Sequence, residues 1–140
     1  MSRRLPQFNR ESLEKTLPDA GIRYVWMKEL GGYRKKILED SPNIALRNQS
    51  FRNYADYMLT PEFEHAMAEL IAMAARGRTA YMCAERMYFQ CHRMLVSDWL
   101  VAHGHEVLHI TDSGPVKPHS LTAEARVIDG RLIYRGDRLL

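Results

Sequence analysis

The chain has 140 residues, 46% of them hydrophobic and 26% charged, with a formal net charge of +3. That length suffices for one hydrophobic core, and the composition is that of a folded protein rather than a disordered one. Apolar runs such as Leu70–Ala75 fall far short of the roughly 20 residues that span a bilayer, and the start Met-Ser-Arg-Arg-Leu-Pro lacks the apolar stretch of a secretion signal. Two cysteines do not make a disulfide framework, so the expected location is cytoplasmic, with no membrane partner.

In chain order, Asn9 is placed to cap a helix over residues 10–18, with Leu13 and Leu17 on one face and Asp19-Ala20-Gly21 ending it. Ile22 to Met27 is β-branched and aromatic and reads as a strand. A polar stretch from Lys28 to Gln49 follows, opened by Gly31-Gly32; connections of that length are often functional. Ser50 is expected to cap a short helix running to about Leu59. Thr60-Pro61-Glu62 starts the next helix, with proline in its first turn and an acid near its positive end. Phe63, Met67, Leu70, Ile71 and Ala74 recur at helical spacing as its core face, and Gly77 closes it.

Thr79 to Cys83 then reads as a short buried strand. A helix over residues 92–103 turns Leu95, Trp99 and Ala102 inward and ends at Gly104, and Val107 to Ile110 forms a third strand. Strand, helix and strand in that order predict a βαβ crossover with parallel strands. After a Gly/Pro-rich connection, Asp112 to Ser120, two short strands flank Asp129-Gly130, the turn that two-residue hairpins favour. The expected fold is therefore α/β: a small three-layer Rossmann-like domain over residues 1–140, with a mainly parallel sheet and a C-terminal β-hairpin.

In open parallel sheets ligands bind beyond the carboxyl ends of the strands. Three polar segments would converge there: Glu29 to Arg34, Cys83-Ala84-Glu85 leading to Cys91-His92-Arg93, and Thr111-Asp112-Ser113-Gly114. Cys91 falls at a helix start, where unpaired N–H groups and the dipole favour a thiolate, making it a candidate nucleophile. Arg93 can grip a carboxylate or phosphate, and Glu85 or His92 can transfer a proton. Tyr33 with Arg34, Lys35 and Lys36, and Arg3 and Arg4 nearer the start, add cationic and aromatic character; Arg47 is a further phosphate-binding candidate. Cys83 and Cys91 lie eight positions apart, unlike the close pairs of structural zinc sites, so no metal is expected. His65, His103, His105 and His109 read as surface residues. The competing structural reading makes both cysteines small core residues.

Five ordered segments carry a family resemblance. They are Ser2-Arg3-Arg4-Leu5-Pro6-Gln7-Phe8-Asn9; Leu30-Gly31-Gly32; Ser50-Phe51-Arg52-Asn53-Tyr54-Ala55-Asp56-Tyr57-Met58; Met82-Cys83-Ala84-Glu85 with Cys91-His92-Arg93; and Pro118-His119-Ser120-Leu121-Thr122 with Ala125-Arg126. In these the chain resembles Domain of Unknown Function 488 (DUF488), whose most distinctive signature is the Cys-Ala-Glu and Cys-His-Arg pair. The resemblance implies an α/β fold and a shared site of Cys83, Glu85, Cys91, His92 and Arg93, extended by His119. It implies no activity. Family members usually begin with a strand carrying a Thr-Ile-Gly-His-Ser-like segment, a helix, and a strand ending near Asp-Val-Arg. This chain is expected to start after all three, either as a shortened form or as one that forms a homodimer to cover the exposed edges. Three functional readings follow: an enzyme-like domain binding an anionic, nucleotide-derived ligand; a nucleic-acid-binding accessory module using Arg34, Lys35, Lys36 and Arg47; and a non-catalytic structural homologue.

Overall fold

A computed structural model describes residues 6–85, 87–112 and 114–136. Arg3, Arg4 and Ser113, singled out above, lie outside the described residues. The helices are α1 (Arg10–Asp19), α2 (Gln49–Tyr57), α3 (Pro61–Arg76) and α4 (Arg93–Ala102). The strands are β1 (Leu108–His109), β2 (Lys117–Pro118), β3 (Ala125–Ile128) and β4 (Arg131–Tyr134). Single 3-10 turns cover Pro6–Phe8, Lys28–Leu30 and Tyr88–Gln90.

The helices obey local rules. Thr60 Oγ1 accepts the Phe63 N–H at 3.3 Å, with Pro61 in the first turn of α3. The cap of α2 is Asn48 rather than Ser50: its side chain accepts the Phe51 N–H at 3.1 Å. Asn9 stands at the start of α1 without a side-chain capping bond. Phe63, Met67 and Leu70 of α3 are buried against Leu95, Val96 and Leu100 of α4 and Tyr54 of α2, with Leu132 and Tyr134 of β4 completing the core. Ala74, expected on that face, is exposed because α3 outruns its partners.

The mixed helix-and-strand class agrees with the expectation; the parallel sheet does not. Among the described residues the strands pair as two separate antiparallel two-stranded sheets, β1 with β2 and β3 with β4. Residues 22–27 and 78–83 form no regular secondary structure and belong to neither sheet. Trp26 is 54% exposed, and Thr79 and Ala80 are exposed rather than buried. β-propensity favours an extended backbone, but a strand exists only when a neighbour takes its N–H and C=O groups, and no neighbouring strand lies beside either segment among the described residues. The C-terminal hairpin is as expected, with Ile128 opposite Arg131 and φ positive at both turn residues, 53° at Asp129 and 77° at Gly130. No helix among the described residues is long and apolar enough to cross a membrane.

One buried carboxylate joins α4 to both hairpins. Asp98, fully buried at 0% exposure, accepts the Tyr134 hydroxyl at 2.7 Å and the Thr122 N–H at 3.0 Å. It also meets His119 Nε2 at 2.7 Å, and His119 Nδ1 lies 2.7 Å from His109 Nε2. His109, read as a surface residue from the sequence, is thus buried in a relay of polar groups. Burial is the first cause that holds its imidazole below the usual value, with the neighbouring His119 and Arg93 acting in the same direction and Asp98 opposing them. A hydrogen bond to a charged partner contributes about 1.5–3 kcal/mol, so Tyr134→Phe is expected to lower unfolding stability by about that amount in denaturant titration. The imidazole of His109 is depressed in the folded state, so the unfolded chain binds the extra proton more readily. Stability should therefore fall as pH drops below about 6.5, the ordinary histidine value. A Tyr134→Phe variant as stable as the parent would show that this link carries no load.

Candidate functional site

The long segment after Lys28 makes almost no regular structure, yet its backbone groups are satisfied by side chains of α2. Tyr54 donates its hydroxyl to the Leu30 carbonyl at 2.8 Å and Tyr57 to the Glu29 carbonyl at 2.5 Å. Asn53 Nδ2 donates to the Arg34 carbonyl at 3.2 Å, and Arg52 Nε to the Leu46 carbonyl at 2.9 Å. Asp56, also buried, accepts from Asn43 Nδ2 at 2.8 Å and Ser41 Oγ at 2.5 Å. Asn43 Oδ1 in turn accepts the Tyr134 N–H at 2.9 Å, and the Ala45 N–H reaches the Tyr134 carbonyl at 2.8 Å. These clamps carry Gly31-Gly32-Tyr33-Arg34 to the N-terminal end of α4. The α2 segment carries part of the family resemblance, but its clamping role is a tertiary one; two tyrosines, Asn and Asp on one short helix beside a long polar segment are its signal in the sequence.

The close approach is at Gly32. A Cβ there would stand 2.6 Å from His92 Nδ1, so only glycine lets the loop lie against the imidazole. His92 packs on its other side near Tyr54, with ring centroids 5.2 Å apart. Cys91 and His92 then form one end of a pocket of about 500 Å³, whose other lining includes Tyr33, Arg34, Lys35, Lys36 and Tyr54. Among the described residues, no acidic side chain belongs to that lining. Tyr33 is 87% exposed at its mouth. Arg34 is folded back, donating to the Lys28 carbonyl at 2.7 Å and the Gly31 carbonyl at 3.2 Å, with its guanidinium 3.9 Å over the Tyr57 ring.

Cys91, 7% exposed, is the electrostatic centre. Its sulfur accepts Arg93 Nε–H at 3.1 Å and the Arg93 backbone N–H at 3.4 Å, at the start of α4. Contact with the Cys83 thiol is the largest cause pulling Cys91 below the ordinary thiol value. Burial opposes that shift, and hydrogen bonds from His92 and Arg93 add to it. The same contact, together with burial, holds the Cys83 proton on, against the Glu85 backbone N–H, which lies 3.2 Å from the Cys83 sulfur. The two shifts run in opposite directions and favour a single thiolate on the pair, at Cys91.

The ligand atoms of Cys83, Cys91 and His92 lie within 4.8 Å of one another, a set of zinc-ligand type that the eight-residue spacing did not suggest. Other residues singled out from the sequence stand elsewhere. Glu85 contributes its backbone: its carbonyl accepts Arg93 Nη2 at 2.5 Å, while the residue itself is exposed. Arg93 is committed to Cys91 and Glu85 rather than turned to a ligand. Arg47 is exposed and does not line the pocket. His119 does not line it either; its side chain belongs to the Asp98 network. The two regions touch through Tyr88, whose ring stacks on His109 at 3.6 Å and whose carbonyl accepts the Cys91 N–H at 3.3 Å.

What fold and site define is a mixed α/β chain with a paired-cysteine centre at a helix start. The family model described as domain of unknown function DUF488 matches residues 1–100, and the chain belongs to that family. No curated protein and no solved structure matches the chain.

If Arg93 is a principal holder of the thiolate, Arg93→Met should move the pH at which Cys91 is half-reactive upward by about 1–2 units, the usual effect of one close opposite charge. Alkylation followed by mass spectrometry across pH measures this. An unchanged profile would remove Arg93 from the account.

Proposed function

We propose that this protein is an enzyme-like domain that binds a small anionic molecule in the pocket beside Cys91, with the Cys91 thiolate as its reactive group. The supporting observation is the juxtaposition of a thiolate with a pocket whose charged lining, Arg34, Lys35 and Lys36, is wholly cationic. Cationic walls concentrate anions, and a low-dielectric rim strengthens the attraction. Tyr33, Phe51 and Tyr54 add aromatic faces to the same lining, which suits a ligand that also carries a planar ring, as a nucleotide-derived molecule does. His92, at the inner end, is the side chain placed to move a proton there. Glu85 is assigned no proton transfer in this reading, because its contribution is through the backbone.

The nucleic-acid reading draws less support. It calls on four basic side chains, of which Arg47 stands off the pocket and Arg34 is turned onto loop carbonyls. The occupant favoured here is a small molecule that reaches the buried sulfur.

The test compares two alkylating reagents of different charge, iodoacetate and iodoacetamide. At Cys91 the anionic reagent should be favoured, relative to its behaviour with a small free thiol, by about tenfold at low salt. The preference should shrink at high salt, where surface fields are screened, and in the Lys35→Gln/Lys36→Gln variant. A Cys91 that treats the two reagents as free glutathione does would contradict the anionic-ligand reading.

A further inference from the structure

The site holds two sulfurs where a nucleophile needs one. Cys83 sits on segment 78–83, which joins neither sheet among the described residues. Cys91 sits at the α4 start, anchored by Arg93 and by the turn at Tyr88. Their sulfurs lie within 4.8 Å, with His92 in the same group of atoms. A disulfide needs about 2.05 Å between sulfurs and a specific dihedral. A small shift of the unpaired Cys83 segment can close that gap without breaking a sheet.

We propose that Cys83 and Cys91 are a redox-active dithiol that reduces a small anionic disulfide held in the cationic pocket. This deepens the reading above and rests on it. In the first step the Cys91 thiolate attacks one sulfur of the substrate disulfide. The new bond joins Cys91 to half of the substrate, and the other half leaves as a thiolate that takes a proton from solvent. In the second step Cys83 gives its proton to His92 and attacks the Cys91 sulfur. The second substrate half departs as a thiolate, and His92 returns the proton to it. The substrate disulfide has gained two electrons from the protein and two protons, one from Cys83 by way of His92 and one from solvent; the protein holds a Cys83–Cys91 disulfide.

The geometry suits that order. The Arg93 Nε–H lies 3.1 Å from the Cys91 sulfur and the Glu85 N–H 3.2 Å from the Cys83 sulfur, so each sulfur has a donor beside it when its turn comes to carry charge. Thiol–disulfide exchange of this kind requires an attacking thiolate and a resolving thiol within reach.

The experiment uses the full chain, fully reduced, with oxidised glutathione as the anionic disulfide and cystamine as a cationic one. Intact-mass and peptide mass spectrometry read the products. The expected result is a protein lighter by two hydrogens, a Cys83–Cys91 linked peptide, and two equivalents of released glutathione, all reversed by dithiothreitol. Oxidised glutathione should react about tenfold faster than cystamine at low salt, by the same attraction of anions to cationic walls. Cys83→Ser keeps a hydroxyl donor to Cys91 and should accumulate the mixed disulfide at Cys91. If the wild-type protein also stops at that mixed disulfide, the redox pair is wrong while the reactive Cys91 stands. If neither protein reacts with the disulfide although iodoacetate still modifies Cys91, the redox activity alone fails. If neither reagent touches Cys91, both readings fall together. One equivalent of tightly held zinc that must be removed before any thiol reacts would overturn the proposal in favour of a metal site built from Cys83, Cys91 and His92.

Discussion

Backbone groups without a ladder must find partners elsewhere, and in this protein α2 supplies them. Residues 28–46 run beside the core with a single 3-10 turn, and Arg52, Asn53, Tyr54, Asp56 and Tyr57 hold that run in place through its carbonyls and the Ser41 and Asn43 side chains. Each bond is modest alone, about 1 kcal/mol net. Together they turn an irregular segment into the wall of a pocket. Gly32 is thereby pressed against His92, and Arg34 is fixed over Tyr57. Without the α2 clamps the cationic residues would have no defined relation to Cys91.

A second constraint sets the other wall. Asp98 ties α4 to Tyr134 of β4 and, through His119 and His109, to the small β1–β2 pair. His109 stacks on Tyr88, and the carbonyl of Tyr88 receives the Cys91 N–H. The buried polar chain therefore reaches the reactive sulfur through packing rather than through proton exchange. That accounts for His119 within the fold: it supports the scaffold behind the site and lines no part of the pocket. A buried carboxylate of this kind is costly unless every lone pair is used. Here His119 and Thr122 meet Oδ1 and Tyr134 meets Oδ2, so both oxygens are partnered.

Much of this was legible where the cause is local. Thr60-Pro61 begins a helix because an oxygen acceptor and a fixed φ suffice, and Asp129-Gly130 turns a hairpin because both residues tolerate positive φ. The Cys91-His92-Arg93 run at a helix start was readable for the same reason. The sheet was not, because a strand is a property of two segments. Ile22 to Met27 and Thr79 to Cys83 have the right residues but no neighbouring strand among the described residues. Burial of His109 is also a tertiary fact that no local pattern carries, and the grouping of Cys83 with Cys91 and His92 was expected only from the family resemblance, their spacing fitting no metal template. Glu85 enters the site through its amide and carbonyl, a backbone role that its residue type does not signal.

The proposed chemistry requires a single thiolate that persists at Cys91 because Cys83 and Arg93 hold it. Ultraviolet absorbance of the thiolate, followed by pH titration of the reduced protein, tests this most directly. One thiolate equivalent should remain down to about pH 5, and the second should not appear until well above about 8.5, the ordinary thiol value. Two equivalents titrating together near that ordinary value would contradict the account.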